Sequence, residues 1–336
     1  MKHINVALFV VHKGCPHTCS FCNQRSITGF QKELTPDDVH SAVRTALDSL
    51  DKETAQGGEI AFFGGSFTMV PEDYMLSLLE AAYQYVENGD FKGIRISTRP
   101  DGIDDGICET LKKYGVTAIE LGAQSMDDNV LEMNERGHTA RQVIDASEMI
   151  KSYGFELGLQ MMTGLYGSDK NESIKTAEKI IALHPATVRI YPTVVLKNTK
   201  LEELMLKGVY KPADVLQSVD ICSELIPMFE NNGISVIRVG LHSGGDVEEN
   251  YVGGAFHPAF RELCEGRIFL NAALREFENR PAGEYILEVS KDSVSKMTGQ
   301  KKCNLIYLSE RGYNCKVRAS DCAGKYEVKV RLNNDT

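Results

Sequence analysis

Six strand-like apolar runs, each followed by a segment with helix signals, constrain the fold of this chain more than any other feature. The runs lie at 4–11, 58–65, 93–97, 116–122, 155–162 and 187–195. Alternating β and α units of this length form a parallel sheet that is covered by helices and joined by right-handed crossovers. Because a closed barrel of this type needs eight units, six predict an α/β fold with an open, partial (β/α)6 barrel.

The segments between the runs carry helix boundary signals. Thr35 precedes Pro36, which suits a first helical position, and Thr139 with Gln142 has the pattern of a capping box. Gly115 ends the segment DGICETLKKYG. These signals place helices between the strands, as a parallel sheet requires.

The pattern changes near residue 245, where a glycine-rich connector begins. The elements predicted around it are a helix at 212–232, a strand at 234–241, a helix at about 259–278, and short strands at 284–290, 303–308, 313–318 and 325–331. We therefore expect two domains, a partial barrel at 1–245 and a small α+β module at 246–336.

Composition and charge limit the partners. No apolar run approaches the roughly 20 residues of a membrane helix, and the start lacks the cleavage site of a signal peptide, so we expect a cytoplasmic protein without a membrane partner. The net charge is −10. From Pro281 onward ten Lys or Arg face seven Asp or Glu, a balance of +3 that leaves −13 on the rest. This tail is either a mixed solvated surface or one that meets phosphate.

Three cysteines, Cys15, Cys19 and Cys22, lie within eight residues in the loop after the first strand. In a parallel α/β barrel such loops build the active site. Three thiolates can hold three irons of a 4Fe-4S cluster, whereas an electron-carrying cluster normally has four cysteine ligands. The fourth iron could then bind S-adenosylmethionine. The alternative is a zinc site that adds His17, although structural zinc usually takes two separated ligand pairs.

The other six cysteines are scattered, and we interpret them as small apolar core residues. They are Cys108, Cys222, Cys264, Cys303, Cys315 and Cys322. A second metal site at the last three remains open.

The spacing of the cysteine loop and several later motifs resemble a known family. The spacing is typical of the radical S-adenosylmethionine (radical SAM) superfamily, and over residues 10–212 the chain resembles the radical SAM domain of the Elongator catalytic subunit family, which acts on the wobble uridine of tRNA. The motifs are GGSFTMVP (64–71), STRPD (97–101), IELGAQS (119–125), RGHT (136–139), QMMTGL (160–165) and RIYPTVVLKNTKLEELMLKGVYKP (189–212). A fainter similarity links GAFHPAF to the oxygen-independent coproporphyrinogen dehydrogenases.

The resemblance implies a set of residues that bind S-adenosylmethionine. Phe21 would pack on the adenine, Gln124 and Arg136 would contact the ribose and the methionine carboxylate, and Gln160 would face the adenosyl part. The remaining members of the set are Gly64, Gly65, Ser66, Ser97 and Glu120.

Some of these positions have structural alternatives. Gly64 and Gly65 would receive the methionine amino group or simply form a tight turn, and Glu120 would be a ligand or would neutralise Arg99 or another barrel cation. Arg189, Tyr191 and Thr193 would face the substrate or pack within the sixth strand. No catalytic residue is assigned.

The chain departs from the family pattern in three ways. The Elongator subunit has a wider gap between its first two cysteines. Both the Elongator subunit and the coproporphyrinogen dehydrogenases carry glutamate where this chain has Ser97. Only about 90 residues follow the barrel, too few for an acetyltransferase domain plus a connector. The full carboxymethylation chemistry of the Elongator family therefore cannot simply be transferred to this chain.

These features predict a radical SAM enzyme that reductively cleaves S-adenosylmethionine at a 4Fe-4S cluster to a 5′-deoxyadenosyl radical and modifies an RNA base, in tRNA. Its partners would be tRNA and a reductant such as flavodoxin or ferredoxin. The alternatives are a radical enzyme for a small molecule, as in the porphyrin-pathway group, and a non-catalytic iron-sulfur or zinc protein.

Overall fold

A curled parallel sheet of seven strands forms a half-barrel at the centre of the molecule. The structure, a computed structural model, describes residues 4–10, 15, 19–23, 32–241 and 247–333. The strand order is β1-β2-β3-β4-β5-β6-β8. The strands are β1 (Asn5–Val10), β2 (Glu59–Gly64), β3 (Gly93–Thr98), β4 (Val116–Gln124), β5 (Glu156–Thr163), β6 (Thr187–Pro192) and β8 (Ser235–Val239). The partial barrel is confirmed, and the strand predicted at 234–241 joins it as a seventh strand.

Helices connect successive strands and cover the outer face of the sheet. They are α1 (Pro36–Ser49), α2 (Lys52–Gln56), α3 (Glu72–Glu87), α4 (Asp105–Lys113), α5 (Asp128–Met133), α6 (Ala140–Ser152), α7 (Lys170–Ala182), α8 (Lys200–Leu206) and α9 (Val215–Asn231). The Thr139–Gln142 capping box is present at the start of α6, and Thr35 caps α1 in the same way with Asp38. Among the described residues no helix is long and apolar enough to cross a membrane.

The two faces of the sheet differ in chemistry. Ile60, Ile94, Ile119 and Val188 belong to one buried apolar cluster with residues of the covering helices. Because successive side chains of a strand point to opposite faces, the alternate positions line the concave side. Those positions include Glu59, Phe63, Arg95, Ser97, Glu120, Gln160, Arg189 and Tyr191. The half-barrel therefore has an apolar exterior under its helices and a polar concave face.

The strand predicted at 187–195 is interrupted. Strand β6 ends at Pro192, and a separate strand β7 (Val194–Leu196) pairs antiparallel with β9 (Tyr251–Gly254), which follows the short helix α10 (Val247–Asn250). At the break the Thr193 amide and hydroxyl both donate to the Thr163 carbonyl, at 2.9 and 2.8 Å. The chain thus turns off the sheet at the carboxyl end of β6.

A smaller three-stranded sheet follows the helix α11 (Phe260–Phe277). Its order is β11 (Tyr313–Ala319), β10 (Gly283–Val289), β12 (Lys329–Leu332). The strand predicted at 303–308 is wrong, because residues Cys303–Ser309 form the helix α13, after the short helix α12 (Val294–Thr298). Its Asn304 and Leu308, four residues apart, are both buried, as one face of a helix requires.

Helix α11 contributes to two apolar cores. Phe260, Cys264 and Ile268 pack in the barrel core, and Phe269 and Phe277 pack in the core of the smaller sheet. The domain boundary near residue 245 stays a prediction.

Candidate active site at the cysteine loop

The cysteine loop lies at the carboxyl edge of the half-barrel and is fixed by backbone hydrogen bonds. The Ser20 amide donates to the Asn134 carbonyl at 3.1 Å, and the Ser20 hydroxyl donates to the Asn134 side-chain oxygen at 2.8 Å. The Leu201 amide, at the start of α8, donates to the Ser20 carbonyl at 2.8 Å. Two distant segments of the chain therefore hold the part of the loop between Cys19 and Cys22.

The three predicted metal ligands differ in exposure. Cys15 is exposed, with its sulfur 3.7 Å from the Ser66 hydroxyl, whereas Cys19 is buried and Cys22 is half-buried. His17, the fourth ligand of the zinc alternative, lies outside the described residues.

Arg136 joins the cysteine loop to β4. One terminal nitrogen of its guanidinium donates to the Cys19 sulfur at 3.1 Å, and the other donates to the Gly122 carbonyl at 2.6 Å. The guanidinium carbon lies 6.0 Å from the centre of the Phe21 ring. Arg136 thus links the central cysteine of the loop to the end of β4.

Two further predicted residues meet beside Arg136. Gln160 Nε2 donates to Gln124 Oε1 at 3.2 Å, and Gln124 has a φ of 67° where β4 ends in a bulge. A Cβ on Gly122 would lie 2.9 Å from Gln124 Nε2 and 3.2 Å from Arg136 Nη2. The glycine therefore allows both polar side chains to approach the strand.

The glycine pair after β2 has a structural requirement of its own. Gly64 has a φ of 110°, and a Cβ there would lie 2.8 Å from the Val10 carbonyl oxygen. The Gly65 amide donates to that oxygen at 2.7 Å, and the following Ser66 is buried. Close packing against β1 alone explains Gly64.

Ser97, at the position of the expected glutamate, is half-buried and pairs in register with Glu120.

Arg99, Asp101 and His138 lie in the STRPD and RGHT motifs, but the sequence assigned none of them to the cofactor site. Arg99 is 3% exposed and binds Asp101 through Nε and Nη2, at 2.9 and 2.8 Å. Its Nη1 is buried and has no hydrogen-bond partner among the residues that the structure describes. Burial alone would lower the pKa of Arg99, but the Asp101 carboxylate and the nearby Cys19 and Cys15 raise it.

His138 is a neutral member of this cluster. Burial, with the positive charges of Arg136 and Arg99, lowers its pKa to about 3, although a contact of 3.2 Å to the Ala123 carbonyl acts in the opposite direction. The imidazole therefore adds no charge to the site near neutral pH.

Glu120 belongs to a buried ion-pair network at the base of the concave face. Arg189 donates to both of its carboxylate oxygens, at 2.6 and 2.9 Å, and Arg95 approaches one of them at 3.4 Å. Arg95 also binds Glu59 at 2.7 Å and Glu156 at 2.8 Å. The barrel cations beside Glu120 are thus Arg95 and Arg189, while Arg99 pairs with Asp101.

The three residues predicted on the substrate side have different surroundings. The Arg189 guanidinium lies 5.1 Å from the centre of the Phe63 ring, on the concave face. Burial alone would lower the pKa of Arg189, but Glu120 raises it well above its ordinary value. Tyr191 is half-buried against a small apolar cluster, and Thr193 is buried at the β6–β7 break.

Two family models match consecutive parts of the chain. Residues 9–180 match the model of the radical SAM superfamily, and residues 185–269 match the Radical_SAM C-terminal domain. The chain belongs to the radical SAM superfamily. Together with the relatives described next, this membership identifies the chain as an enzyme.

This radical SAM chain is similar to two groups of curated proteins. The tRNA uridine(34) acetyltransferase of Methanocaldococcus jannaschii is 27% identical over 256 residues, which are 65% of this chain and 47% of the relative. Elongator complex protein 3 of Homo sapiens is 29% identical over 192 residues, which are 50% of this chain and 35% of the relative. The matches thus span about half or less of these relatives.

A solved structure shows the same fold. An archaeal Elp3 from Methanocaldococcus infernus with an N-terminal deletion superposes with a TM-score of 0.62 at 19% identity, over 84% of this chain and 66% of that chain. The radical SAM half-barrel is therefore common to both.

Proposed function

We propose that the chain is a radical SAM enzyme that modifies a base of tRNA. One observation carries the proposal: three cysteines at the carboxyl edge of a half-barrel, with Arg136 donating to Cys19 and lying beside Gln124 and Gln160. Cys15, Cys19 and Cys22 would hold a 4Fe-4S cluster, and S-adenosylmethionine would bind next to it. When bound, these two groups supply a 5′-deoxyadenosyl radical by one-electron reductive cleavage, with flavodoxin or ferredoxin as reductant.

The residues present fit these groups. The three loop cysteines are free thiols, and three thiolates would leave one iron of a 4Fe-4S cluster for another ligand. Within the described part of the chain, no three Cys, His, Asp or Glu side chains lie together in a way that would hold a single metal ion. The buried Nη1 of Arg99 lacks a partner within the described part of the chain, and such a cation suits an anionic group. The absence of a Cβ at Gly122 leaves room for the polar ends of Gln124 and Arg136 at this corner.

The chain's own residues would bind and orient the cofactor. Arg136 is held in place by the Gly122 carbonyl, so its charge is positioned before a methionine carboxylate arrives. Gln124 and Gln160 would offer amide groups to the ribose, and Phe21 an aromatic face. Because Arg99 is fixed by two bonds to Asp101, it would present its third nitrogen without reorganising.

The concave face would receive the substrate base. Phe63 offers an aromatic face, and Arg189 offers a cation whose orientation Glu120 fixes. Aromatic stacking and guanidinium contacts are common ways to hold an unstacked RNA base. A tRNA substrate is supported by the relative named a tRNA uridine(34) acetyltransferase. Transfer of an acetyl group is not part of the proposal.

The cofactor half of the proposal is tested with anaerobically reconstituted protein. Wild type is expected to contain iron and sulfide and to release 5′-deoxyadenosine when reduced with S-adenosylmethionine present. Cys19→Ala should abolish both, whereas Cys303→Ala, at an exposed cysteine outside the loop, should change neither. Bound zinc, or equal release of 5′-deoxyadenosine from wild type and Cys19→Ala, would refute this half.

The substrate half is tested by mass spectrometry of tRNA nucleosides from cells with and without the gene. A nucleoside that disappears and is restored by wild type, but not by Cys19→Ala, supports the proposal. An unchanged nucleoside profile, with no tRNA retained by the protein at low salt, would favour a small-molecule substrate.

A further inference from the structure

The three-stranded sheet of the C-terminal module has one covered and one open face. Tyr285, Leu287 and Val289 of β10 pack in an apolar core together with Phe269 and Phe277 of α11. The alternate residues of the three strands point to the other side. They are Glu284, Ile286 and Glu288 of β10, Asn314, Lys316 and Arg318 of β11, and Lys329 and Arg331 of β12.

The strand register arranges the cations of this open face in two rows. Ile286 lies between Lys316 on one neighbouring strand and Arg331 on the other. Glu288 lies in the same way between Arg318 and Lys329. Because neighbouring strands are about 4.8 Å apart, the backbones that carry the two cations of a row are about 10 Å apart.

The cations on the open face are accessible and outnumber the acids. Lys316 and Arg318 are exposed, and the Arg331 and Lys329 side chains are 67% and 38% exposed. Arg331 contacts Glu288 at 3.1 Å. Counted over the strands alone, four cations against Glu284 and Glu288 give this face a charge of +2 in a chain whose net charge is −10. Glu327, in the loop before β12, contacts Lys329 at 3.7 Å, so the other three cations carry most of the positive potential.

We propose that the open face of the β11-β10-β12 sheet binds the phosphate backbone of the RNA substrate. The inference rests on the proposed function, because it assigns the surface that would hold the tRNA. A sheet face with cations on both flanking strands matches a polyanion, whereas the acidic remainder of the chain repels one. Sequence-independent phosphate contacts would position the RNA while the concave face of the half-barrel receives the base.

The module is attached firmly enough for such positioning. Lys325, in the loop before β12, contacts Glu230 of α9 at 2.9 Å, and Lys296 contacts Glu265 of α11 at 2.9 Å. Helix α11 itself lies in both apolar cores. RNA bound to the open face would therefore be held in a fixed relation to the cysteine loop.

Charges on the two outer strands have a second explanation. Exposed cations on edge strands prevent edge-to-edge association. That explanation predicts that removing the charges causes aggregation and leaves RNA affinity unchanged, whereas our proposal predicts a loss of affinity in monodisperse protein.

The test removes the two cations of one row from the whole chain. Lys316→Gln/Arg331→Gln is compared with the control Lys52→Gln/Lys92→Gln, which removes two exposed lysines of the barrel, in binding of unmodified tRNA at several KCl concentrations. Two lost phosphate contacts should weaken binding on the order of 20-fold at 0.1 M salt and make the negative slope of log K against log salt shallower by about 1.5. The charge-conserving Lys316→Arg/Arg331→Lys should bind as wild type does.

The binding results distinguish failure of this inference from failure of the proposed function. Equal affinities and slopes for the row variant and the control, with wild type binding tRNA, would overturn the inference alone. If wild type does not bind tRNA at any salt concentration, the RNA half of the proposed function fails with it. Release of 5′-deoxyadenosine should be the same in all variants, which shows that the cysteine site is intact.

Discussion

Arg99 and Arg136 place two buried positive charges beside the cysteine loop. A positive charge near an iron-sulfur cluster favours its reduced state, which is the more negative one. For the proposed 4Fe-4S cluster, we expect Arg99→Gln to keep the iron content and to lower the reduction potential. A partly screened unit charge is worth on the order of 1–2 kcal/mol, which corresponds to about 40–90 mV for one electron.

Redox titration followed by electron paramagnetic resonance measures this shift. The control is Arg141→Gln, which removes an arginine whose side chain is 74% exposed and should leave the potential unchanged. Equal potentials for Arg99→Gln and wild type would contradict the role given to Arg99.

Gly64 is expected to be intolerant of a side chain for two separable reasons. Gly64→Ala places an alanine at a positive φ and brings its Cβ to 2.8 Å from the Val10 carbonyl oxygen. Gly89→Ala also places an alanine at a positive φ, but its Cβ has no atom within 4 Å. We expect about 1 kcal/mol of destabilisation at Gly89 and at least about 2 kcal/mol at Gly64. Urea unfolding of the cluster-free proteins measures both, and equal losses would show that the approach to β1 relaxes freely.

Side-chain chemistry near the cysteines was only partly predictable. The cysteine spacing pointed to Cys19, and the family resemblance implied Arg136, Gln124 and Gln160. The structure brings these four residues together. The surroundings of Arg99 were not predictable, because its interaction with Asp101 and the lack of a partner for Nη1 among the described residues depend on how β3 ends. The position of Arg99 and Asp101 in the STRPD motif was the available signal.

At the scale of elements, the Glu120 network ties β2, β3, β4, β5 and β6 together across the concave face. Glu120→Ala would remove a carboxylate that neutralises the buried guanidinium groups of Arg95 and Arg189. We therefore expect a loss of about 3–5 kcal/mol in the free energy of unfolding. Asp145→Ala, which breaks an exposed pair with Arg141, should cost less than about 0.5 kcal/mol. Chemical denaturation of cluster-free protein distinguishes the two interpretations of Glu120, because a residue that serves only as a cofactor ligand would leave this stability unchanged.

The strands of the half-barrel were predictable because each is an apolar run between clear helix signals. Two other elements could not be predicted from the sequence. The run at 303–308 is short and apolar, so its sequence fits a strand or a helix equally, and its packing on the module core decides for α13. The break after β6 accompanies the pairing of β7 with β9, a strand some sixty residues away that local periodicity cannot reveal.

At the scale of the whole molecule, the shared helix α11 should make the half-barrel and the module unfold together. Phe269 is fully buried in α11, and Phe269→Ala should cost about 3–5 kcal/mol. Ile306→Ala, at a residue 53% exposed on α13, should have little effect. Differential scanning calorimetry is expected to show one transition in every variant, shifted down only for Phe269→Ala; two separate transitions in wild type would contradict this coupling.

Helix α11 also imposes an order on folding during synthesis. Its first half can dock on the half-barrel as soon as it leaves the ribosome, but Phe269 and Phe277 face strands that are translated later. Until β10, β11 and β12 emerge, the nascent chain carries an uncovered aromatic surface, the kind of surface that chaperones bind.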